Sequence, residues 1–439
     1  MIIAHLAYDT PSLLACTLVC YSWYIAAVPH LYNTIPIGAC SCFRNSKWPN
    51  PLPRMHTLGL LPLVNVLAVK GTYDNDAGLS PKMFNRHTLR QFRALTNLQE
   101  LWIDYLDIPK FMPRAQRYFG HFLPTLQSLG LGEPRGSNRQ IIYFIGLFQH
   151  LQTFKLANHK GDIRGEFADD LTLIPPFAPP LRRWLIMKSV TEVGLLKDMI
   201  DLFGGIRFRY MDLFGVLGMR LLLDACAETL ETLMLYPSDQ YGEKHCSNCV
   251  YAIANDFVAM SSLHDFDLSR NKSFRRLELL ASFIGHTPPA GSPDTPTFLK
   301  HVLSTITSSV PTDVVIQYLD EDFCGVEWRR PGWPLLRELS QAEREKEASQ
   351  YRMQFEVLRE VRKVRDFRLV LCAMVWGCVG EYPVQVLEKA VEDERVNGGF
   401  DDFSRQPLVE NDPSRICAEC DMYYRVRRGR SHWTFFCYS

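Results

Sequence analysis

No run of 18 apolar residues occurs in this 439-residue chain, and the most apolar stretch, 369–379, is too short to cross a bilayer. The opening residues, MIIAHLAYDTP, have neither a basic region nor a small-residue cleavage site, so no secretory leader is expected. There is no excess of one charge. Lys plus Arg is 48 and Asp plus Glu is 48, which leaves no global basic field to attract nucleic acid or an anionic membrane. Catalytic signatures are also missing. The chain has no G-x-x-x-x-G-K-[ST], no G-x-S-x-G and no H-E-x-x-H, and no G-x-G-x-x-G opens a helix. Nothing gathers a nucleophile, a base and an oxyanion site, so neither an enzyme nor a resident cofactor is expected. The acidic clusters Asp169-Asp170 and Asp320-Glu321-Asp322 read as exposed loop faces, and Gly204-Gly205 and Gly398-Gly399 as turns.

Ordinary globular chemistry is present. Hydrophobic residues make up 47% and charged residues 22%, which excludes wholesale disorder. The length suggests two to four domains or one elongated array. Thirteen scattered cysteines, an odd number, read as reduced thiols of an intracellular protein, cytoplasmic or nuclear.

Residues 1–36 stand apart. Twenty-four of the 36 are apolar, and no Lys or Arg precedes Arg44. Leu13, Leu14, Leu18 and Tyr21 recur at helical spacing, and Trp23, Ala26 and Ala27 continue the pattern. Asp9 or Thr10 before Pro11 predicts the helix start, and Pro29 its end or restart. So short a segment cannot bury its own apolar surface, so it either caps the domain behind it or docks on another protein. Its wording resembles an F-box. Leu18-Val19-Cys20-Tyr21-Ser22-Trp23, then Pro29-His30-Leu31-Tyr32 and Ile35, is similar to the second half of that motif, and Ile2-Ile3-Ala4-His5-Leu6 to the end of its first helix. The family's Leu-Pro-x-Glu opening is not matched, so the motif reads as short at its start. The resemblance implies a three-helix module that binds the Skp-type adaptor of a cullin–RING ubiquitin ligase. It assigns adaptor contact to the apolar faces around Leu6, Leu14, Leu18, Val19, Trp23, Leu31 and Tyr32.

Residues 37–57 read as a connector, and a repeat follows over 58–400. Leu95-x-x-Leu98-x-x-Leu101-x-Ile103 returns as Leu123-x-x-Leu126-x-x-Leu129-x-Leu131 and as Phe148-x-x-Leu151-x-x-Phe154-x-Leu156. Shorter copies are Leu181-x-x-Trp184-x-Ile186, Met211-x-Leu213, Leu230-x-x-Leu233-x-Leu235 and Leu263-x-x-Phe266-x-Leu268. Leu63-x-x-Val66-x-x-Val69 is an early copy, and Val361-x-x-Val364-x-x-Phe367-x-Leu369 a late one. The mean step is about 27 residues, within the period of leucine-rich repeats. The L-x-L element alternates as a strand, and Tyr143, Phe144, Leu147, Phe148 and Leu151 make one apolar helix face between strands. Val193, Leu195, Leu196, Met199 and Leu202 make another. The expected fold is α/β: an irregular leucine-rich-repeat solenoid with a parallel sheet on its concave side and helices on its convex side, preceded by the small all-α module. A doubly wound sheet is the alternative. Insertions are placed at 286–297, as a loop, and at 335–366, as a charged helix whose stripe is Tyr351, Phe355, Leu358 and Val361. Residues 401–439 read as an irregular tail.

An F-box followed by leucine-rich repeats resembles a substrate-recognition subunit of an SCF-type ligase. The second reading is a leucine-rich scaffold with no ubiquitin role, its first helices serving as a solenoid cap. In the expected register Trp102, Lys155, Asp212, Met234, Asp267 and Arg368 line the concave sheet, with Tyr236 just beyond, and would contact a protein substrate. Cys246-x-x-Cys249 and Cys417-x-x-Cys420 have zinc-knuckle spacing but lie 171 residues apart, and read as free thiols before they read as ligands. The tail's Arg425, Arg427, Arg428 and Arg430 stand between Tyr423-Tyr424 and Trp433 and read as a solvated terminus rather than a nucleic-acid surface.

Overall fold

The computed structural model describes residues 3, 10–38, 51–70, 91–112, 124–159, 173–190, 192–216, 218–236, 266–282, 295–307, 312–319, 349, 355–361, 367–376 and 402–408. The protein is α/β, with all-parallel strands alternating with helices, and divides into two units, Met1–Ile206 and Arg207–Ser439.

The first unit opens with helices α1 (Thr10–Val19) and α2 (Tyr21–Leu31). The apolar spacing predicts one continuous helix here. The chain instead breaks at Cys20, whose extended backbone (φ −163°, ψ 170°) starts a second helix with no side-chain cap. No glycine or proline marks that break, so periodicity could not reveal it. Pro29 sits in the last turn of α2, which continues two residues beyond it. Among the described residues six strands follow: β1 (Thr34–Gly38), β2 (Val66–Lys70), β3 (Glu100–Asp104), β4 (Ser128–Gly132), β5 (Thr153–Ala157) and β6 (Trp184–Val190), each pairing in parallel with the next. Helix α3 (Leu52–Thr57) precedes β2, so the expected connector holds both a strand end and a helix. Helix α4 (Asn138–Ile145) lies between β4 and β5, and α5 (Val193–Leu202) follows β6.

The repeat explains the packing. Leu95, Leu98, Leu101 and Ile103 are buried, as are Leu126, Leu129 and Leu131, and Phe148, Leu151, Phe154 and Leu156. At the start of each of β2 to β5 one carbonyl accepts two successive N–H groups. Asn33 O takes Asn65 and Val66, Asn65 O takes Gln99 and Glu100, Gln99 O takes Gln127 and Ser128, and Gln127 O takes Gln152 and Thr153. Such a recurring local geometry satisfies the backbone at the strand entrance each time. α4 starts at Ser137 in a reciprocal capping box: Ser137 Oγ accepts from Gln140 N, and Gln140 Oε1 accepts from Ser137 N at 2.9 Å. Its buried face carries Ile141, Phe144 and Ile145, with Phe148 edge-on to Phe144 at 5.5 Å.

In the first unit two copies have a different register from the one expected. The early copy is Leu61-x-x-Val64-x-x-Leu67-x-Val69, all four buried, two residues upstream of the expected start. At β6 the inward residues are Leu185 and Met187, paired with Phe154 and Leu156. Leu181, at φ 33°, begins the stretch that holds one extra residue, and a one-residue slip turns every side chain over. Trp184 and Ile186 therefore lie on the opposite face from the one the repeat suggests.

The second unit holds β7 (Tyr210–Val216), β8 (Thr232–Tyr236), β9 (Arg276–Ser282), β10 (Thr312–Leu319), β11 (Phe367–Trp376) and β12 (Asp402–Leu408), again each parallel to the next. Helix α6 (Met219–Ala225) lies between β7 and β8, and α7 (Thr295–Thr305) between β9 and β10. The last three residues expected in the 286–297 loop thus belong to a helix. Residues 355–361 are helical with Phe355, Leu358 and Val361 buried, which matches a helix packed by that stripe; Tyr351 lies outside the described residues. The expected irregular tail opens with a strand, β12. Gly204 and Gly205, at φ 69° and 101°, form the turn after α5 that their sequence predicts.

One buried polar residue gives the first unit a pH signature. His159 is 2% exposed, with Nε2 3.4 Å from Asn138 Oδ1 at the start of α4. Burial lowers its pKa from 6.5 to about 4, against a smaller opposing effect of a hydrogen bond to the Pro134 backbone. Between those values the unfolded chain binds a proton that the folded chain refuses. Stability is therefore unaffected above pH 6.5 and falls as the pH drops towards 4, by up to about 3 kcal/mol. Thermal melts at pH 7 and pH 4.5 should show the loss in the wild type and a smaller one in His159→Gln.

Candidate functional site

The most exposed apolar surface among the described residues is on α1 and α2. Leu13, Cys16 and Ala27 form a small buried cluster against which Ile3 and Leu31 pack. The other side of the same helices carries Leu14, Leu18, Val19, Tyr21, Trp23, Tyr24 and Ile25, all exposed, with Leu18 at 87%. A helix that is apolar all round is normally enclosed by protein or lipid. Here only one side is enclosed by this chain. Seven large apolar side chains within twelve residues are far more than the scattered singles of an ordinary surface.

Of the residues assigned to adaptor contact, Leu14, Leu18, Val19 and Trp23 lie on this exposed side. Leu31 packs against the buried cluster instead, Tyr32 is half-buried at the C-cap of α2, and Leu6 lies outside the described residues. Tyr21, Tyr24 and Ile25 extend the exposed side and were not among the residues assigned to adaptor contact. With apolar residues on every side, periodicity could not tell which of them the chain covers.

A second candidate is the strand face opposite the buried leucines. Trp102 on β3 pairs across with Gly130 on β4, Gly130 with Lys155 on β5, and Lys155 with Ile186 on β6. The Trp102 ring lies over Gly130, where any Cβ would collide with it, and its Nε1 donates to Asp104 Oδ1 at 2.5 Å. Gly130 therefore serves as a seat for the indole. Lys155, expected to face a partner, is only 4% exposed and reaches across β4 to Glu100 Oε1 at 2.5 Å. It holds three strands together rather than offering a free cation.

In the second unit Asp212 is buried on β7 opposite Met234 on β8, and Met234 is half-buried. Tyr236 ends β8, and its side chain lies outside the described residues. Asp267 is not on a strand. The copy that builds β9 is Phe274-x-x-Leu277-x-Leu279, all buried, and Glu278 takes the place expected for Asp267, opposite Met234. The Leu263-Phe266-Leu268 spacing imitated the repeat upstream of the true strand. Asp267 instead accepts from Ser269 and pairs with Arg220 of α6 at 2.9 Å. Ser269 first, and then Arg220, hold its carboxyl down to about 2. Arg220 also pairs with Asp224, so the cluster fastens α6 to the segment before β9. Arg368 is exposed on β11 opposite Asp313 of β10.

Cys246, Cys249, Cys417 and Cys420 lie outside the described residues, as do the tail arginines. Of the described cysteines, Cys16 and Cys226 are buried and Cys20 is exposed, and burial pushes the Cys226 thiol up to about 12. Among the described residues no three His, Cys, Asp or Glu side chains are grouped to hold a metal, and no helix is long and apolar enough to cross a membrane. A scan against protein-family models finds no match to this chain, and a search of curated proteins finds none either.

Proposed function

We propose that the chain is a non-enzymatic substrate-recognition adaptor of an SCF-type ubiquitin ligase. Helices α1 and α2 dock on a Skp-type adaptor, and the strand-bearing body, a leucine-rich-repeat solenoid, holds a protein substrate. The observation that carries this reading is the exposed apolar side of α1 and α2, built from the residues that resemble an F-box. The unbroken order of parallel strands within each unit supports the solenoid, because a doubly wound sheet reverses its strand order at a switch point. Bringing a substrate lysine beside a ubiquitin-charged enzyme supplies the rate gain through proximity, with no chemistry on this chain.

The scaffold reading draws on the inner side of the same helices. Leu13, Cys16 and Ala27 are buried, although among the described residues the cluster they form with Ile3 and Leu31 holds no residue of the strands that a cap would cover. A cap, however, presents a polar outer face, and this one presents Leu18 and Trp23. The test is capture of the full chain by a purified Skp-type adaptor. Binding by the wild type and its loss in Leu18→Asp/Trp23→Ala supports the ligase reading, whereas no binding by the wild type supports the scaffold.

A further inference from the structure

Residues 173–183, just before β6, read Leu-Ile-Pro-Pro-Phe-Ala-Pro-Pro-Leu-Arg-Arg. Pro175, Pro176, Pro179 and Pro180 have φ fixed near −65° and no N–H to offer a strand. Ile174 and Ala178, each preceding a proline, are pushed to extended or polyproline II backbone, as are Pro175 and Pro179. Only Phe177 between 174 and 180 escapes both constraints, and its N–H donates to Gly146 O at 3.2 Å. The segment accordingly forms neither helix nor strand, and bends at Pro176.

It is anchored, yet its apolar edge faces solvent. Pro175 packs so closely on Gly146 that a Cβ there would collide with it, Pro179 is buried, and Leu181 N donates to Leu151 O at 3.1 Å. Ile174 is 73% exposed and Phe177 45%, with Pro176 exposed between them. Arg182 and Arg183 follow at the surface and form no ion pair among the described residues.

We propose that Ile174, Pro176 and Phe177, flanked by Arg182 and Arg183, form a docking ridge for a proline-recognition domain, one whose groove is walled by aromatic side chains and carries carboxylates at one end. Four prolines leave this anchored backbone few conformations to lose, so docking costs it little entropy, and aromatic grooves select such proline-rich segments. The two arginines supply the charge that an acidic groove end complements and set the register. The burial of Pro179 restricts the class further. A groove that reads two prolines spaced as Pro176-x-x-Pro179 cannot reach the second, so the fit is to one that encloses a single proline and its apolar neighbours, as WW domains do.

The test uses the full chain and a panel of purified WW domains, with and without acidic residues at the groove end, read by fluorescence anisotropy. The acidic members should bind at micromolar strength. Pro176→Ala/Phe177→Ala should weaken binding at least tenfold, and Arg182→Glu/Arg183→Glu should remove its salt dependence. Gly146→Ala leaves the motif's sequence intact but disturbs its seat, and should weaken binding a few-fold. Failure of every panel member to bind, or equal binding by the Pro176/Phe177 variant, overturns the proposal. Capture by the Skp-type adaptor should be unchanged in all three variants, so this result stands apart from the fate of α1 and α2.

Discussion

Leu18→Asp with Trp23→Ala is expected to lower capture by a Skp-type adaptor about 100-fold or more while leaving the fold intact. Leu18 is 87% exposed and Trp23 39%, so only the covered part of the indole is lost from this chain's own packing, and the thermal midpoint should fall by no more than a few degrees. In a complex, by contrast, an aromatic and a leucine at the centre of an apolar patch are the residues that dominate affinity, and truncating such anchors costs about 2 kcal/mol or more each. Placing a carboxylate where Leu18 should be desolvated adds the cost of an unpaired charge. Leu31→Ala should behave differently. Leu31 packs on Leu13, Cys16 and Ala27, so its loss should appear first as lower stability of the helix pair. A binding assay run beside circular dichroism separates the two classes. Equal capture by the Leu18/Trp23 variant would remove the docking role of this surface.

The largest stability effect is expected at Lys155 and Glu100. Lys155 is almost fully enclosed and its ammonium meets the Glu100 carboxylate across the seat of Trp102. Glu100→Ala strands that ammonium in a poorly solvated place and should destabilise the first unit by about 3 kcal/mol, because it leaves the enclosed Lys155 charge uncompensated although Glu100 itself is partly exposed. Glu100→Leu/Lys155→Met removes both charges at similar volume and should lie within about 1 kcal/mol of the wild type, since apolar replacements of buried pairs are often neutral or better. Urea unfolding of the wild type and these two variants reads both differences. If Glu100→Ala were as stable as the wild type, the ammonium would have to reach water by another route.

The repeat was legible where three or more of its positions are occupied by large aliphatic or aromatic residues. Leu95 to Ile103, Leu126 to Leu131 and Phe148 to Leu156 point inward as their spacing requires. The copies that misled are the degenerate ones. At β6, Leu181-x-x-Trp184 fits the pattern, whereas the true inward residue, Leu185, stands one residue further on, after a positive-φ backbone at Leu181 that the pattern does not contain. At β9, Phe266 and Leu268 are buried like true repeat positions, but they lie in the segment before the strand. β1, β10 and β12 escaped notice because Ile35-x-Ile37 and Val314-x-Ile316 lack upstream leucines, and Pro407 sits within β12. Two of the expected partner-facing residues also changed role. Lys155 and Asp267 are polar, but their opposite charges, Glu100 and Arg220, come from elements distant in sequence. No linear pattern contains that pairing.

Within each unit every described strand pairs with described strands next to it in the chain, which separates the architecture from the lengths of its connections. Successive strands may be joined by a short link, as between β7 and β8, or by all of residues 320–366, as between β10 and β11, without changing which strands meet. Closing a link twice as long costs only about 0.6 kcal/mol more in chain entropy. Such a chain can gain whole segments between strands while its framework persists, so lineages can diverge in length and surface while keeping the same strand order. It also offers a laboratory entry point: a fluorescent protein or a protease site placed between β10 and β11 should leave the strand register undisturbed.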